Sequence, residues 1–305
     1  MKNTENVLPI DTPSRPLPDS AAPAARLRSA PTLGSILVEE GKLTAEEADQ
    51  ALELQRTGGL RFGEAALHLN LISERDLQQA LAKQFDFAYL QVGPEGVSKE
   101  LIAAYDPFGP RVEELRAVRT QLLIRWYNAE EGRNKLAIIS PGAGEGRSYF
   151  AANLAVIFSQ LGLRTLLVDA NMRAPRQHSI FRVPNRIGLS ALLAGRADQE
   201  IAVPIPGIAR LSLLPAGSIP PNPQELLSRP TFQTLLRQAQ AAFDLILVDT
   251  PAAMLYADAQ SVTHRTGDAL VLTRKDHTRV NDAVRVVREL SDTGARVVGS
   301  VVNAF

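Results

Sequence analysis

Three alternating glycines, Gly142, Gly144 and Gly146, run directly into Arg147 and Ser148. A loop of this composition lets backbone N–H groups converge on phosphate oxygens with no side chains in the way. A cation next to the last glycine can bridge phosphates, and a hydroxyl after it can ligate Mg²⁺. The spacing is not that of a dinucleotide loop: counted from Gly142, the third glycine of G-x-G-x-x-G falls on Arg147. Two carboxylates belong with this loop. Asp169 closes the apolar run Leu166-Leu167-Val168 and is followed by Asn171 and Arg173, while Asp249 closes Leu245-Ile246-Leu247-Val248. A lone acid at a strand end is ordinarily a cap on the next helix. Two of them together with a phosphate loop define a metal–nucleotide site, because ligands of open α/β sheets gather at the carboxyl ends of the strands.

The elements that must position these groups are legible around them. Leu136–Ile139, Thr165–Val168, Leu245–Val248, Ala269–Leu272 and Val297–Val302 are apolar runs of the kind found in parallel strands buried on both faces. Helical stretches separate most of them, and the one over Tyr149–Leu161 would bring its N-terminal dipole to the phosphates. The expected architecture is an α/β fold: a P-loop, mostly parallel sheet with helices on both faces over residues 111–305. Asn222-Pro223-Gln224-Glu225 reads as a helix start, with Asn222 as cap and Pro223 at the first helical position.

Ahead of this unit the pattern differs. Residues 1–31 hold six prolines among Ser, Ala and Asp, and read as a disordered tail. Residues 32–92 repeat internally: Leu33-Gly34-Ser35-Ile36-Leu37 matches Phe62-Gly63-Glu64-Ala65-Ala66, Leu43 matches Ile72 and Leu52 matches Leu81. Thr44 and Ser73 each precede acidic residues and then apolar ones at helical spacing, so each reads as an N-cap. Two helical hairpins packed face to face are expected. Residues 93–110 read as a linker, followed by a helix near Val112–Asn128.

Composition narrows the function. Lys+Arg and Asp+Glu are equal at 33 each, which gives no global charge toward nucleic acid or an anionic membrane. There is no cysteine, which excludes disulfides, thiolate metal sites and cysteine nucleophiles within this sequence. No apolar run approaches the ~20 residues that span a bilayer. The absence of cysteine fits a reducing cytosol, and if the protein works at a membrane, a partner must hold it there.

Over residues 110–305 the sequence resembles the bacterial tyrosine kinases of exopolysaccharide synthesis, and more narrowly the EpsG-like autokinases associated with chain-length determinants. The resemblance carries Walker A to Gly144-Glu145-Gly146-Arg147-Ser148, Walker A′ to Asp169-Ala170-Asn171-Met172-Arg173 and Walker B to Asp249. It implies ATP and Mg²⁺ as cofactors. Nucleotide would be held by Gly142, Ala143, Gly144, Glu145, Gly146, Arg147, Ser148, Tyr149 and Asn303, and metal by Ser148, Asp169 and Asp249. Catalytic roles would fall to Arg147, Asp169, Asn171 and Arg173. The family's E-x-x-R-x-x-R pattern matches Glu113, Arg116 and Arg119, which implies a homo-oligomer formed through that helix face, and the implied partner is a membrane-embedded chain-length regulator. Arg147 stands where the family has Lys, Asn171 where it has a second Asp, and the last tyrosine is Tyr256, with no clustered tyrosines after it. Acceptor tyrosines are therefore expected among Tyr89, Tyr105 and Tyr127 or on other proteins, with Tyr149 and Tyr256 as walls of the site. The 32–92 unit resembles the N-terminal domain of type II secretion and pilus ATPases. Some of these bind cyclic di-GMP through tandem Arg-containing motifs, of which only Arg61-Phe62-Gly63 keeps the Arg; Thr32 replaces it in the first copy, and Asn70 replaces Gly41 in the second.

The leading expectation is an ATP-dependent protein-tyrosine autokinase. A ParA/MinD-like ATPase switch using water in place of tyrosine, and a non-catalytic nucleotide-gated adaptor, stay open at this point.

Overall fold

A computed structural model of the chain describes residues 31–84, 90, 96–197 and 202–304. The proposed disordered tail lies outside these residues except for Pro31.

Four helices form the first unit: α1 (Leu33–Glu39), α2 (Ala45–Gly58), α3 (Phe62–His68) and α4 (Glu74–Gln84). They start at equivalent positions of the two repeats. Thr44 closes a capping box on α2, its Oγ1 accepting from Glu47 N at 3.2 Å and its own N–H donating to the Glu47 carboxylate at 2.7 Å. Ser73 repeats the arrangement with Asp76, at 3.2 and 3.1 Å. Gly41 and Asn70, the equivalent turn positions, both hold left-handed backbone, with φ of +68° and +54°. Asn is one of the few side chains that tolerate this conformation, so its replacement of Gly preserves the turn. α1 packs on α4 and α2 on α3, so each repeat covers the apolar face of the other. Gly63 permits that approach: a Cβ there would meet Leu77 Cδ1 at 2.5 Å. Ile36, Leu37, Leu43, Ala51, Ala66, Ile72 and Ala80 form the resulting core.

The second unit begins with α5 (Ile102–Tyr105) and α6 (Pro110–Arg125). The alternating part follows as β1 (Lys135–Ile139), α7 (Arg147–Gln160), β2 (Thr165–Asp169), α8 (Gln177–Phe181), α9 (Leu189–Leu193), β3 (Val203–Pro204) and β4 (Leu211–Leu214). It continues with α10 (Pro223–Ser228), α11 (Pro230–Ala242), β5 (Leu245–Asp249), α12 (Asp258–Thr266), β6 (Asp268–Arg274), α13 (Val280–Asp292) and β7 (Arg296–Asn303). The strands form one sheet in the order β3-β4-β2-β5-β1-β6-β7. Every pairing is parallel except that of β3 with β4. One core lies against α5, α6 and α7, and a second against α9 to α13. α7 is buried from Arg147 to Ser159 apart from Tyr149, which explains why it is apolar around its whole circumference.

Three expectations need correction. The described part of the stretch read as a linker, residues 96–110, is folded onto the second unit. Val97, Leu101, Ala103 and Ala104 are buried in its core. Asn153, a polar residue on the otherwise apolar α7, holds the stretch by accepting from Ala103 N at 3.0 Å and donating to Glu100 O at 2.9 Å. Gln160 adds a bond to Ala103 O at 2.8 Å. Short alanine-rich segments show little periodicity, so their burial was invisible in the sequence. β3 and β4 were missed because two and four residues carry too little pattern. Asn222 precedes α10 but makes no side-chain cap hydrogen bond; Pro223 at the first helical position sets that start.

Candidate nucleotide site

The order of strands puts β1 between β5 and β6, with β2 on the far side of β5. The loop after β1 therefore emerges beside the carboxyl ends of β5 and β2. Register pairs Asp169 directly with Asp249 on the neighbouring strands, so two carboxylates face the phosphate loop. Gly144 and Gly146 take left-handed backbone, with φ of +74° and +85°, which turns the chain tightly into α7.

Both carboxylates are fully buried. Asp169 is held by three amides: Oδ1 accepts from Asn171 N at 3.2 Å, and Oδ2 from Arg176 N at 3.1 Å and Gln177 N at 3.0 Å. Burial, with Asp249 next to it, pushes its pKa well above the usual carboxylate range against those amides. Burial raises Asp249 too, opposed by the Arg147 charge, the Ser148 hydroxyl and the Gln177 amide. Arg147 is 8% exposed. Its Nη1 donates to Ser140 Oγ, and its Nε lies 3.5 Å from Asp249 Oδ1. That ion pair is not a hydrogen bond, and both atoms are buried without a hydrogen-bond partner. Burial lowers the arginine's pKa, opposed first by Asp249 and then by Glu145 and Asp169. One buried cation thus lies beside two buried carboxyl groups.

Gln177, at the start of α8, did not stand out in the sequence. It is completely buried. Its Nε2 donates to Asp249 Oδ2 at 2.7 Å and to Ser148 O at 3.0 Å, while its backbone N–H holds Asp169. One residue therefore ties the phosphate-loop helix to the ends of β2 and β5. A polar residue eight positions after a strand-end acid is no sequence signal; only the fold brings its amide here.

The other candidates are distributed as follows. Glu145 accepts from Gly142 N at 2.8 Å and from the Thr278 hydroxyl, which closes the loop on itself. Asn303 donates to Glu145 O at 3.2 Å, placing the end of β7 against the loop. Ala143 and Gly144 are exposed on the loop. Tyr149 is half-buried; burial raises its phenol, with Arg111 opposing and Glu100 adding to the rise, so it sits toward α5 and α6. Two of the proposed catalytic groups are engaged elsewhere. Asn171 bonds its own loop, donating to Ala174 O at 2.9 Å and accepting from Ala174 N at 3.2 Å. Arg173 makes a two-pronged ion pair with the buried Asp258, at 2.8 and 3.0 Å, and its guanidinium lies 3.9 Å from the centroid of the Tyr256 ring. Both brace the loop that follows β2. Among the described residues, no three His, Cys, Asp or Glu side chains cluster as metal ligands.

A phosphate loop at the switch point of a parallel sheet, with two strand-end carboxylates, defines a P-loop nucleotide-binding protein of the α/β class. Comparison with known proteins narrows this. The chain is 32% identical over 207 residues to the tyrosine-protein kinase YwqD of Bacillus subtilis, covering 68% of this chain and 86% of that protein. It is 31% identical over 191 residues to the putative tyrosine-protein kinase CapB of Staphylococcus aureus, covering 63% of this chain and 83% of that protein. Among solved structures, the chimerical protein CapA2B2 aligns with a TM-score of 0.63 at 30% identity over 76% of this chain and 98% of its own. The kinase domain of the Escherichia coli tyrosine kinase ETK aligns with a TM-score of 0.65 at 26% identity over 70% of this chain and 82% of its own. No family model matches. The chain belongs to the bacterial tyrosine-protein kinases.

Proposed function

We propose that this kinase uses Mg·ATP to phosphorylate tyrosines on itself and on partners in exopolysaccharide synthesis, chain-length control or export. The observation that carries the site assignment is the buried Arg147–Asp249 pair beside Ser148, in a chain about one-third identical to named tyrosine kinases. The donor set fits Mg²⁺, which is commonly held by one or two carboxylates plus substrate phosphates. Asp249 Oδ1, buried without a hydrogen bond, and the Ser148 hydroxyl would hold it. Bound there, the metal would supply charge to the β- and γ-phosphates. The loop amides and Arg147 bind the phosphates and stabilise the charge on the transferring group. Asp169, held at the end of β2 by three backbone amides, takes the proton from the attacking tyrosine. Arg173 and Asn171 act through the loop that they brace.

Among the described residues no helix is long and apolar enough to cross a membrane. The kinase works at the membrane through the cytoplasmic segment of a membrane-embedded chain-length regulator. The helical unit is a docking module: Thr32 caps α1 through Ser35 N at 3.2 Å where the second copy has Arg61, so a cyclic di-GMP site here would lack half of its expected arginines. The purified chain, incubated with radiolabelled Mg·ATP with and without the regulator segment, should form phosphotyrosine, and more of it with the segment. ATP hydrolysis without phosphotyrosine under both conditions would replace this reading with an ATPase switch.

Self-association runs through α6. Arg116 pairs with Glu113 at the surface, whereas Arg119 turns inward and donates to Ile157 O at 3.2 Å. Arg116→Glu is therefore the clean variant, and it should lower the particle mass in light scattering. An unchanged mass would make Glu113 and Arg116 an ordinary solvated pair.

A further inference from the structure

The described tyrosines differ sharply in what their hydroxyls do. Tyr105 donates to Val97 O at 2.6 Å and Tyr127 to Asp244 O at 3.3 Å, and both rings are half-buried. Tyr149 is half-buried on α7. A hydroxyl bonded inside the protein must break that bond and leave its packing before it can enter a kinase site. Tyr105 and Tyr127, expected as acceptors from their position near the first helix, are thereby disfavoured; Tyr89, expected with them, lies outside the described residues. Tyr256 is the one exposed tyrosine among the described residues, at 40%, and its hydroxyl makes no hydrogen bond with any of them.

The surroundings of Tyr256 suit a phosphate acceptor. It sits between exposed Met254 and Leu255 and the start of α12, an apolar strip that can lie against another protein. The segment before it is anchored to the floor of the nucleotide site: Thr250 Oγ1 donates to Ile138 O at 2.8 Å, Ala253 N to Ser140 O at 2.9 Å and Met254 N to Pro141 O at 3.1 Å. The anchored segment holds the ring at the surface, where a second copy can reach it. The guanidinium of Arg173 lies 3.9 Å from the ring centroid. It is bound to Asp258 through Nε and Nη2, which leaves Nη1 without a hydrogen bond.

We propose that Tyr256 is an autophosphorylation site, modified by a second copy of this chain, and that Arg173 receives its phosphate. This rests on the tyrosine-kinase reading above. In the step, the bond from the γ-phosphorus to the bridging oxygen of ADP breaks and a bond to Tyr256 Oη forms. The hydroxyl proton passes to Asp169 of the acting copy and then to solvent, and ADP leaves. The product carries about −1.5 to −2 charge beside the guanidinium, where it competes with Asp258 for Arg173. Because the Arg173–Asp258 pair ties the Walker A′ loop to α12, modification loosens a brace of the nucleotide site.

The test mixes wild-type chain with a tagged Asp249→Asn chain, which serves only as acceptor, in Mg·ATP, and maps phosphotyrosine on the tagged chain by mass spectrometry. The expected result is phosphate on Tyr256, with a tagged chain that also carries Tyr256→Phe losing the greater part of its label. Circular dichroism of that variant checks its fold, and the map of the unaltered acceptor stands independently of it. Phosphotyrosine at other positions, with the Tyr256 peptide unmodified, would overturn this proposal and leave the kinase reading intact. Absence of phosphotyrosine from every chain in the mixture, with ATP still hydrolysed, would overturn both.

Discussion

Asp249→Asn is expected to lower Mg·ATP-dependent phosphotransfer by about 100-fold, the usual cost of losing one charge contact in the transition state. The substitution keeps the shape of the side chain and removes its charge. Asp249 Oδ2 is already engaged by Gln177 at 2.7 Å, and Oδ1 lies 3.5 Å from Arg147 Nε without a hydrogen bond. That oxygen is the one available to a metal, so the loss should appear as weaker Mg·ATP binding, with metal-free nucleotide bound as before. Ser148→Ala should weaken Mg·ATP in the same way. Asp169→Asn should mainly lower turnover, because both oxygens of Asp169 already accept from backbone amides, whereas Asp249 keeps one oxygen without a hydrogen bond. Titration with a fluorescent ATP analogue at several Mg²⁺ concentrations, followed by single-turnover phosphotransfer, separates these effects. Unchanged Mg·ATP binding in both Asp249→Asn and Ser148→Ala would remove the proposed site. Trp126, the sole tryptophan, is 2% exposed and bonded to Asp268 at 2.8 Å, so its fluorescence reports whether each variant is folded.

Arg147→Ala should cost about 10²- to 10³-fold in phosphotransfer and also destabilise the protein. The two effects have one origin. Among the described residues the guanidinium is the only cation in an ion pair with Asp249, and Asp169 lies beside them. Removing one partner of a buried pair typically costs about 3–5 kcal/mol, because the remaining charge is left uncompensated. Asp169 and Asp249 already have raised pKa values, and without the arginine they rise further. A carboxyl whose folded pKa lies above its unfolded value is more stable protonated, and that stability is lost as pH rises through the folded pKa. The melting-temperature deficit of Arg147→Ala should therefore be largest at high pH, where both carboxyl groups are charged, and shrink as the pH is lowered toward the ordinary carboxylate range. A deficit independent of pH would mean that the arginine acts by packing alone. Arg147→Lys distinguishes charge from shape. A lysine restores the cation and loses the planar fork that reaches Ser140 and Asp249 together. Recovery of most activity in Arg147→Lys would show that charge suffices, whereas a rate as low as that of Arg147→Ala would assign the fork a role of its own.

The sequence by itself determined the features whose causes are local. The glycine loop, the strand-end acids Asp169 and Asp249, the five long apolar strands and the N-caps Thr44 and Ser73 each follow from residue type and near-neighbour spacing, because turn geometry and burial periodicity act over a few residues. The doubled helical unit was legible for the same reason, and Asn70 kept the turn of Gly41 because both tolerate left-handed backbone. Tertiary structure decided which polar groups meet. Gln177 reaches Asp249, Arg173 reaches Asp258, and Asn153 holds residues 100 and 103, each across tens of residues of chain. Their side chains are ordinary for a surface until the fold buries them, and a buried polar group must then take whatever partner the packing places beside it. The same reason separates the tyrosines: position along the chain pointed to Tyr89, Tyr105 and Tyr127 as acceptors and to Tyr256 as a wall of the site, but packing gave the hydroxyls of Tyr105 and Tyr127 internal partners and left Tyr256 exposed beside Arg173 without one.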